Sequence, residues 1–103
     1  MAKSLLERRL IDVSDRLKRL RAEFAVAEEQ CAFLTAEAED AHLRSLVSET
    51  PLAEAEAHEV RRHAVAQSAQ RDTLRRSIVE LEREQDALLD RMANELPTPR
   101  LRS

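Results

Sequence analysis

The sequence predicts an all-α fold in which two long helices form an antiparallel coiled-coil hairpin, with association of such hairpins into a four-helix bundle as a further expectation. Three observations carry this. From Leu6 to Ala41, small or apolar residues recur at alternating spacings of four and three, through Leu10, Val13, Leu17, Leu20, Phe24, Ala27, Cys31, Leu34 and Ala38. That is the period of a coiled-coil seam, sustained over five heptads. Second, the chain has no glycine, 2% aromatic and 36% charged residues, the composition of long helices rather than sheets. Third, the first proline is Pro51 and the next is Pro97, so the chain has one natural place to double back.

Ser4 followed by Glu7, just ahead of the apolar repeat, is a capping box that satisfies the first free amides of a helix. The first helix is therefore expected over 4–46 and the turn over 47–50. Pro51 disfavours a helical Thr50 but suits the first position of a new helix, so Thr50 reads as the N-cap of a second helix over 51–95. The hairpin domain is expected to occupy 1–96, followed by a flexible basic tail over 97–103 that carries Arg100 and Arg102.

The second helix has its own repeat of four and three: Ala53, Ala57, Val60, Ala64, Gln67, Arg71, Leu74, Ile78, Leu81, Gln85, Leu88 and Met92. Three of these are polar, so this helix cannot build a core with its own copies and needs the first. Folding at the turn pairs positions whose numbers sum to about 98. Leu10 then meets Leu88, Leu17 meets Leu81, Leu20 meets Ile78 and Phe24 meets Leu74. Small Ala27 faces Arg71 and leaves room for its aliphatic stem, while the guanidinium reaches water. The same register offers the ion pairs Arg16–Glu84, Arg21–Glu82, Glu28–Arg75 and Arg44–Glu56.

Charge is unevenly spread. Residues 22–60 hold ten acids and one base, a net of -9, and the remainder hold ten acids and sixteen bases, a net of +6. A hairpin gathers the acids at its turn, around Asp40, Glu49, Glu54 and Glu56, and collects Lys3, Arg8, Arg9, Lys18, Arg19, Arg91 and Arg100 towards the other end. These four acids are the candidate partner-binding residues of the tip. Solubility and the positive end of the second helix give the same acids an ordinary structural explanation. A second apolar stripe lies off the seam, and Ile11, Val26 and Phe33 are its candidate partner-binding residues. Leu5, Val47, Val65, Val79 and Leu89 extend it.

Catalysis is not expected. The absence of glycine rules out a phosphate-cradling loop, and a two-layer rod offers no pocket to exclude water from a reacting group. Cys31, the single cysteine, falls on the seam and packs there as an apolar group. His42 and His58 approach each other near the turn with Asp40, Glu54 and Glu59, but no dense ligand spacing supports a metal site. His63 is placed to pair with Glu37. No cofactor or metal is therefore expected. The bases Arg8, Arg9, Arg16, Lys18, Arg19 and Arg21 are interleaved with Glu7, Asp12 and Asp15, and the pI is near 5.6, so nucleic acid is not the expected partner. No apolar run is long enough to span a bilayer, and a cytoplasmic location follows as the default.

An acidic tip on a long helical stalk, with the segment Ser48-Glu-Thr-Pro-Leu-Ala-Glu-Ala-Glu-Ala-His-Glu59, resembles the coiled-coil hairpin of the DksA and Gre transcription factors. The resemblance covers the hairpin, and one cysteine cannot supply the four-cysteine zinc module that accompanies it in the DksA type. It implies a bacterial transcription regulator whose tip enters the secondary channel of RNA polymerase. Glu49 and Glu54, with Asp40, would then act by charge near the catalytic magnesium. The reading taken from the residues themselves is broader: a non-catalytic adaptor or regulator that binds a protein in a larger assembly and self-associates. A purely structural homo-oligomer is the remaining alternative.

Overall fold

A computed structural model describes residues 4–95. They form α1, Leu5–Ser48, and α2, Pro51–Glu95, packed against each other as an antiparallel hairpin, with no strand among the described residues. The flexible tail expected over 97–103, and the bases Lys3, Arg100 and Arg102, lie outside the described residues.

Each helix start is the one the sequence specifies. At α1 the Glu7 amide donates to Ser4 Oγ and the Ser4 amide donates to Glu7 Oε1, both at 3.1 Å, so two otherwise free amides are satisfied reciprocally. At α2 the Ala53 amide donates to Thr50 Oγ1 at 3.2 Å, with Pro51 at the first helical position, where it has no amide to leave unpaired.

The turn is shorter than the expected 47–50. Val47 and Ser48 remain helical, and only Glu49 and Thr50 link the helices. Glu49 has φ 51° and its amide still donates to Ser45 O at 3.0 Å. This is a left-handed helix stop of the kind glycine usually supplies. One left-handed residue ends α1 and one proline fixes the start of α2, so no longer loop is required.

Every residue assigned to the seam from the sequence is buried or half-buried, in both helices. The hairpin divides into two compact units, an arm unit of Met1–Arg21 with Arg76–Ser103 and a turn unit of Ala22–Arg75. In the arm unit Val13, Leu17, Leu81 and Leu88 are buried and packed with Leu6, Leu10, Leu20 and Ile78. Burying a leucine or valine side chain contributes about 1.5–3 kcal/mol, so this cluster is the strongest apolar contact of the fold. Polar Gln85 is accommodated by donating to Ser14 Oγ at 3.1 Å.

The turn unit has a different seam. Its buried residues are Ala27, Cys31, Ala41, Ser45 and Ala64, all small. Ser45 donates its hydroxyl to His42 O at 2.7 Å, and Cys31 Sγ lies 3.6 Å from Ser68 Oγ. Gln67 donates across the seam to Gln30 Oε1 at 3.0 Å. Arg71 is half-buried, and its guanidinium donates to Asp72 Oδ1 from Nε at 3.2 Å and from Nη2 at 3.1 Å. That hydrogen bond raises its pKa above the ordinary arginine value, so the seam arginine stays charged.

Salt-bridge partners follow the register only in part. Arg21 and Glu82 pair at 2.9 Å as expected. Glu84 takes Arg9, at 3.4 Å, instead of Arg16, and Glu28 lies 3.9 Å from Arg71 instead of pairing with Arg75. Arg75 sits over the Phe24 ring, 5.3 Å from its centroid, and His63 approaches Glu59 on its own helix, at 3.7 Å, rather than Glu37. Long exposed side chains choose among several partners within reach, up to two helical turns apart, for a few tenths of a kcal/mol, which a repeat pattern does not resolve.

Candidate functional site

The turn unit inverts the usual distribution of side-chain size. Its fully buried seam positions hold only alanine, serine and cysteine, with Phe24, Leu34, Val60 and Leu74 half-buried, while Val26, Phe33, Leu43, Leu46, Val47, Leu52 and Val65 are exposed. The extent is large for such residues: Phe33 is 65% exposed, Leu52 70% and Val47 84%. The other exposed large apolar residues, Leu5, Ile11, Val79 and Leu89, belong to the arm unit.

Around the turn, Leu43, Leu46 and Val47 are spaced three and four apart and so lie on neighbouring rows of one helix face. Leu52 follows immediately after Pro51. The acids proposed for the tip surround this apolar group in sequence. Glu49 occupies the turn itself, Glu54 and Glu56 lie in the first turns of α2, and Asp40 is eight residues before the end of α1, roughly 12 Å along the helix. All four are exposed, and none has an ion-pair partner within 4 Å among the described residues. Glu59, by contrast, is engaged by Arg62 and His63.

The sequence singled out the carboxylates and Val47 here, and passed over Leu43, Leu46 and Leu52. Their signal was present as spacing. Three large residues off the seam, within two helical turns of a chain reversal, are left exposed by the hairpin.

Val26 and Phe33 occupy a second surface. They are seven residues apart with Gln30 between them, and open clefts of about 480 and 420 Å³ lie beside them. A further cleft of about 580 Å³ is lined by Ala38, Leu43, Ala64 and Val65, with Glu39, His42 and Arg61 also contributing. Ile11, the other stripe candidate, is exposed in the arm unit.

Electrostatics separate the two units. The turn unit holds eleven acids and five bases, a net of -6. The described part of the arm unit holds nine acids and nine bases. Its positive α1 segment is offset by a negative α2 segment, and Arg9–Glu84 and Arg21–Glu82 connect the two. The basic end expected opposite the acidic tip is therefore balanced in charge over these residues.

Among the described residues no group of three or more His, Cys, Asp or Glu side chains is placed to hold a metal ion. His42 and Asp40 do not converge with His58, Glu54 and Glu59 into such a group. Cys31 is a free, buried thiol. Among the described residues no helix is long and apolar enough to cross a membrane. Compared with known proteins, the chain matches no family model, no curated protein and no solved structure.

Proposed function

We propose that this chain is a non-catalytic interaction module, an adaptor or regulator in the cytoplasm that binds a protein within a larger assembly through its turn unit. The observation that carries the reading is the inverted seam. A hairpin that had only to hold itself together would not fully bury alanines while leaving Phe33, Leu43, Leu46 and Leu52 in water, and the arm unit, with its buried leucines, shows the ordinary arrangement. Seven exposed large apolar residues within one small unit exceed the scattered leucine or valine of an ordinary surface. The free carboxylates around them add polarity at the rim of the apolar group, the usual make-up of a protein-binding patch. A net of -6 disfavours nucleic acid and anionic lipid as partners.

Insertion of the turn into the RNA polymerase channel is a narrower form of this reading, supported by the free carboxylates of Glu49 and Glu54. Self-association is favoured by a separate observation. The described arm unit is balanced in charge and exposes Ile11, Val79 and Leu89, so copies meeting there would not repel one another.

The test is photo-crosslinking in the cell of origin, with the reactive group at position 46 or 52 in the turn unit, or at position 89 in the arm unit. Discrete adducts heavier than a dimer are expected from 46 and 52. Adducts from 89 alone, or dimers alone from all three, would refute binding through the turn unit.

A further inference from the structure

We propose that the groove along Val26 and Phe33 is the docking site for a basic amphipathic helix of the partner protein, an inference that rests on the turn-unit reading above and gives its partner a chemistry. Three adjoining clefts share Gln67 of α2, and two of them also share Gln30 of α1. Together they extend from Ala22 to Leu34 along α1, about 18 Å, or a little over three helical turns. Val26, Gln30 and Phe33 are spaced four and three and therefore stand on one face. The two apolar residues are about 10.5 Å apart along the axis, which matches apolar residues seven apart on a docked helix. The Gln30–Gln67 hydrogen bond crosses between them and fixes the two side chains, while the Gln30 NH2 group and the Gln67 carbonyl oxygen can still bond to an occupant.

Charge selects the occupant. Between Arg21 and Arg44, α1 carries six acids and no base, and Glu23 and Glu29 line the groove directly. Of the bases on α2, Arg62, which with His63 lines the third cleft, pairs with Glu59, Arg71 pairs with Asp72 and Glu28, and Arg75 lies over Phe24. The wall of the groove therefore presents unbalanced negative charge beside an exposed aromatic residue. A second copy docking by the same face would bring two such walls together, and nucleic acid or an anionic membrane would be repelled. A helix with leucines on one face and lysines or arginines on the other satisfies both features.

The test uses the full chain and a fluorescent synthetic peptide of about four helical turns, with leucines on one face and lysines on the other, read by anisotropy. Saturable binding is expected, weakened about tenfold or more by Phe33→Asp, as for loss of a central aromatic contact. This substitution makes the protein more negative, so attraction by overall charge alone would tighten binding instead. Ala69→Asp adds the same charge at an exposed position that lines none of these clefts and is expected to leave the affinity unchanged. Because Phe33 and Ala69 are both exposed, both variants should retain the helical circular dichroism of the parent.

Equal effects of the two substitutions, equal binding of a leucine–glutamate peptide, or a dimer by light scattering that Phe33→Asp dissociates would each overturn the groove assignment. Absence of peptide binding would also overturn it. If crosslinks from positions 46 and 52 persist in any of these cases, the turn-unit reading survives the loss of the groove. If they are absent as well, both fall.

Discussion

Replacing Glu49 by glycine should make the protein more stable. Glu49 has φ 51°, a conformation that brings Cβ close to the following carbonyl and costs a non-glycine residue on the order of 1 kcal/mol. Its side chain is exposed and has no ion-pair partner within 4 Å among the described residues, so little contact energy is lost with it. Glycine restores some entropy to the unfolded chain, yet at positive φ relief of the strain is the larger effect. The expected gain for Glu49→Gly is about 1 kcal/mol, or roughly 4–8 °C in Tm for a domain of this size.

Two controls separate conformation from charge. Glu49→Ala keeps the backbone strain and removes the carboxylate, so its stability should stay within about 0.5 kcal/mol of the parent. Glu49→Asn should lie between alanine and glycine, because asparagine tolerates the left-handed region. Urea unfolding followed by helical circular dichroism measures all three. A midpoint for Glu49→Gly at or below that of the parent, with unchanged m, would refute the left-handed stop and with it the two-residue link. The same set bears on function, because a residue held in a costly conformation at a chain reversal is a candidate for a role its carboxylate performs. Glu49→Gly would then trade partner binding for stability.

Three further outcomes follow from the packing. Leu17→Ala, at a position only 1% exposed, should cost about 3 kcal/mol in urea unfolding; a loss under about 1 kcal/mol would remove it from the centre of the arm core. Thr50→Ala deletes the cap on Ala53 and should cost about 1 kcal/mol, whereas Thr50→Ser should restore most of it; equal losses would show that the hydroxyl does not cap. For the polymerase reading, purified protein should alter transcription in vitro, and the Glu49→Ala, Glu54→Ala double variant should lose that effect while remaining folded; an unchanged effect would eliminate action through these carboxylates.

The seam was legible because it is a property of spacing alone. Leu6 to Ala41 and Ala53 to Met92 keep a single rhythm, and any residue in that rhythm faces the other helix whatever its chemistry. That is why Arg71, Gln67 and Gln85 could be placed on the seam despite their polarity. The caps were legible for a similar reason, since Ser4, Glu7, Thr50 and Pro51 act on neighbours within three residues. The end of α1 was not, because a glutamate in the left-handed region leaves no compositional mark.

The candidate surface was legible by halves. Acids near the turn stand out in the sequence, and so does a stripe that includes Phe33. The inversion of size between the two units did not, because an alanine and a leucine satisfy the same repeat. Only the packed hairpin separates a seam that buries leucines, as around Leu17, from one that buries alanines, as around Ala41, while Leu43 and Leu46 face solvent.

With only Glu49 and Thr50 between the helices, the hairpin has no slack in which to absorb a miscount. A residue inserted into either helix would rotate everything beyond it by about 100° relative to the opposite helix of the hairpin, swinging seam positions into water. Variants of altered length should therefore survive only when seven residues are gained or lost in both arms together. Lengthening this protein is a matter of whole matched heptads, and its reach is quantised accordingly.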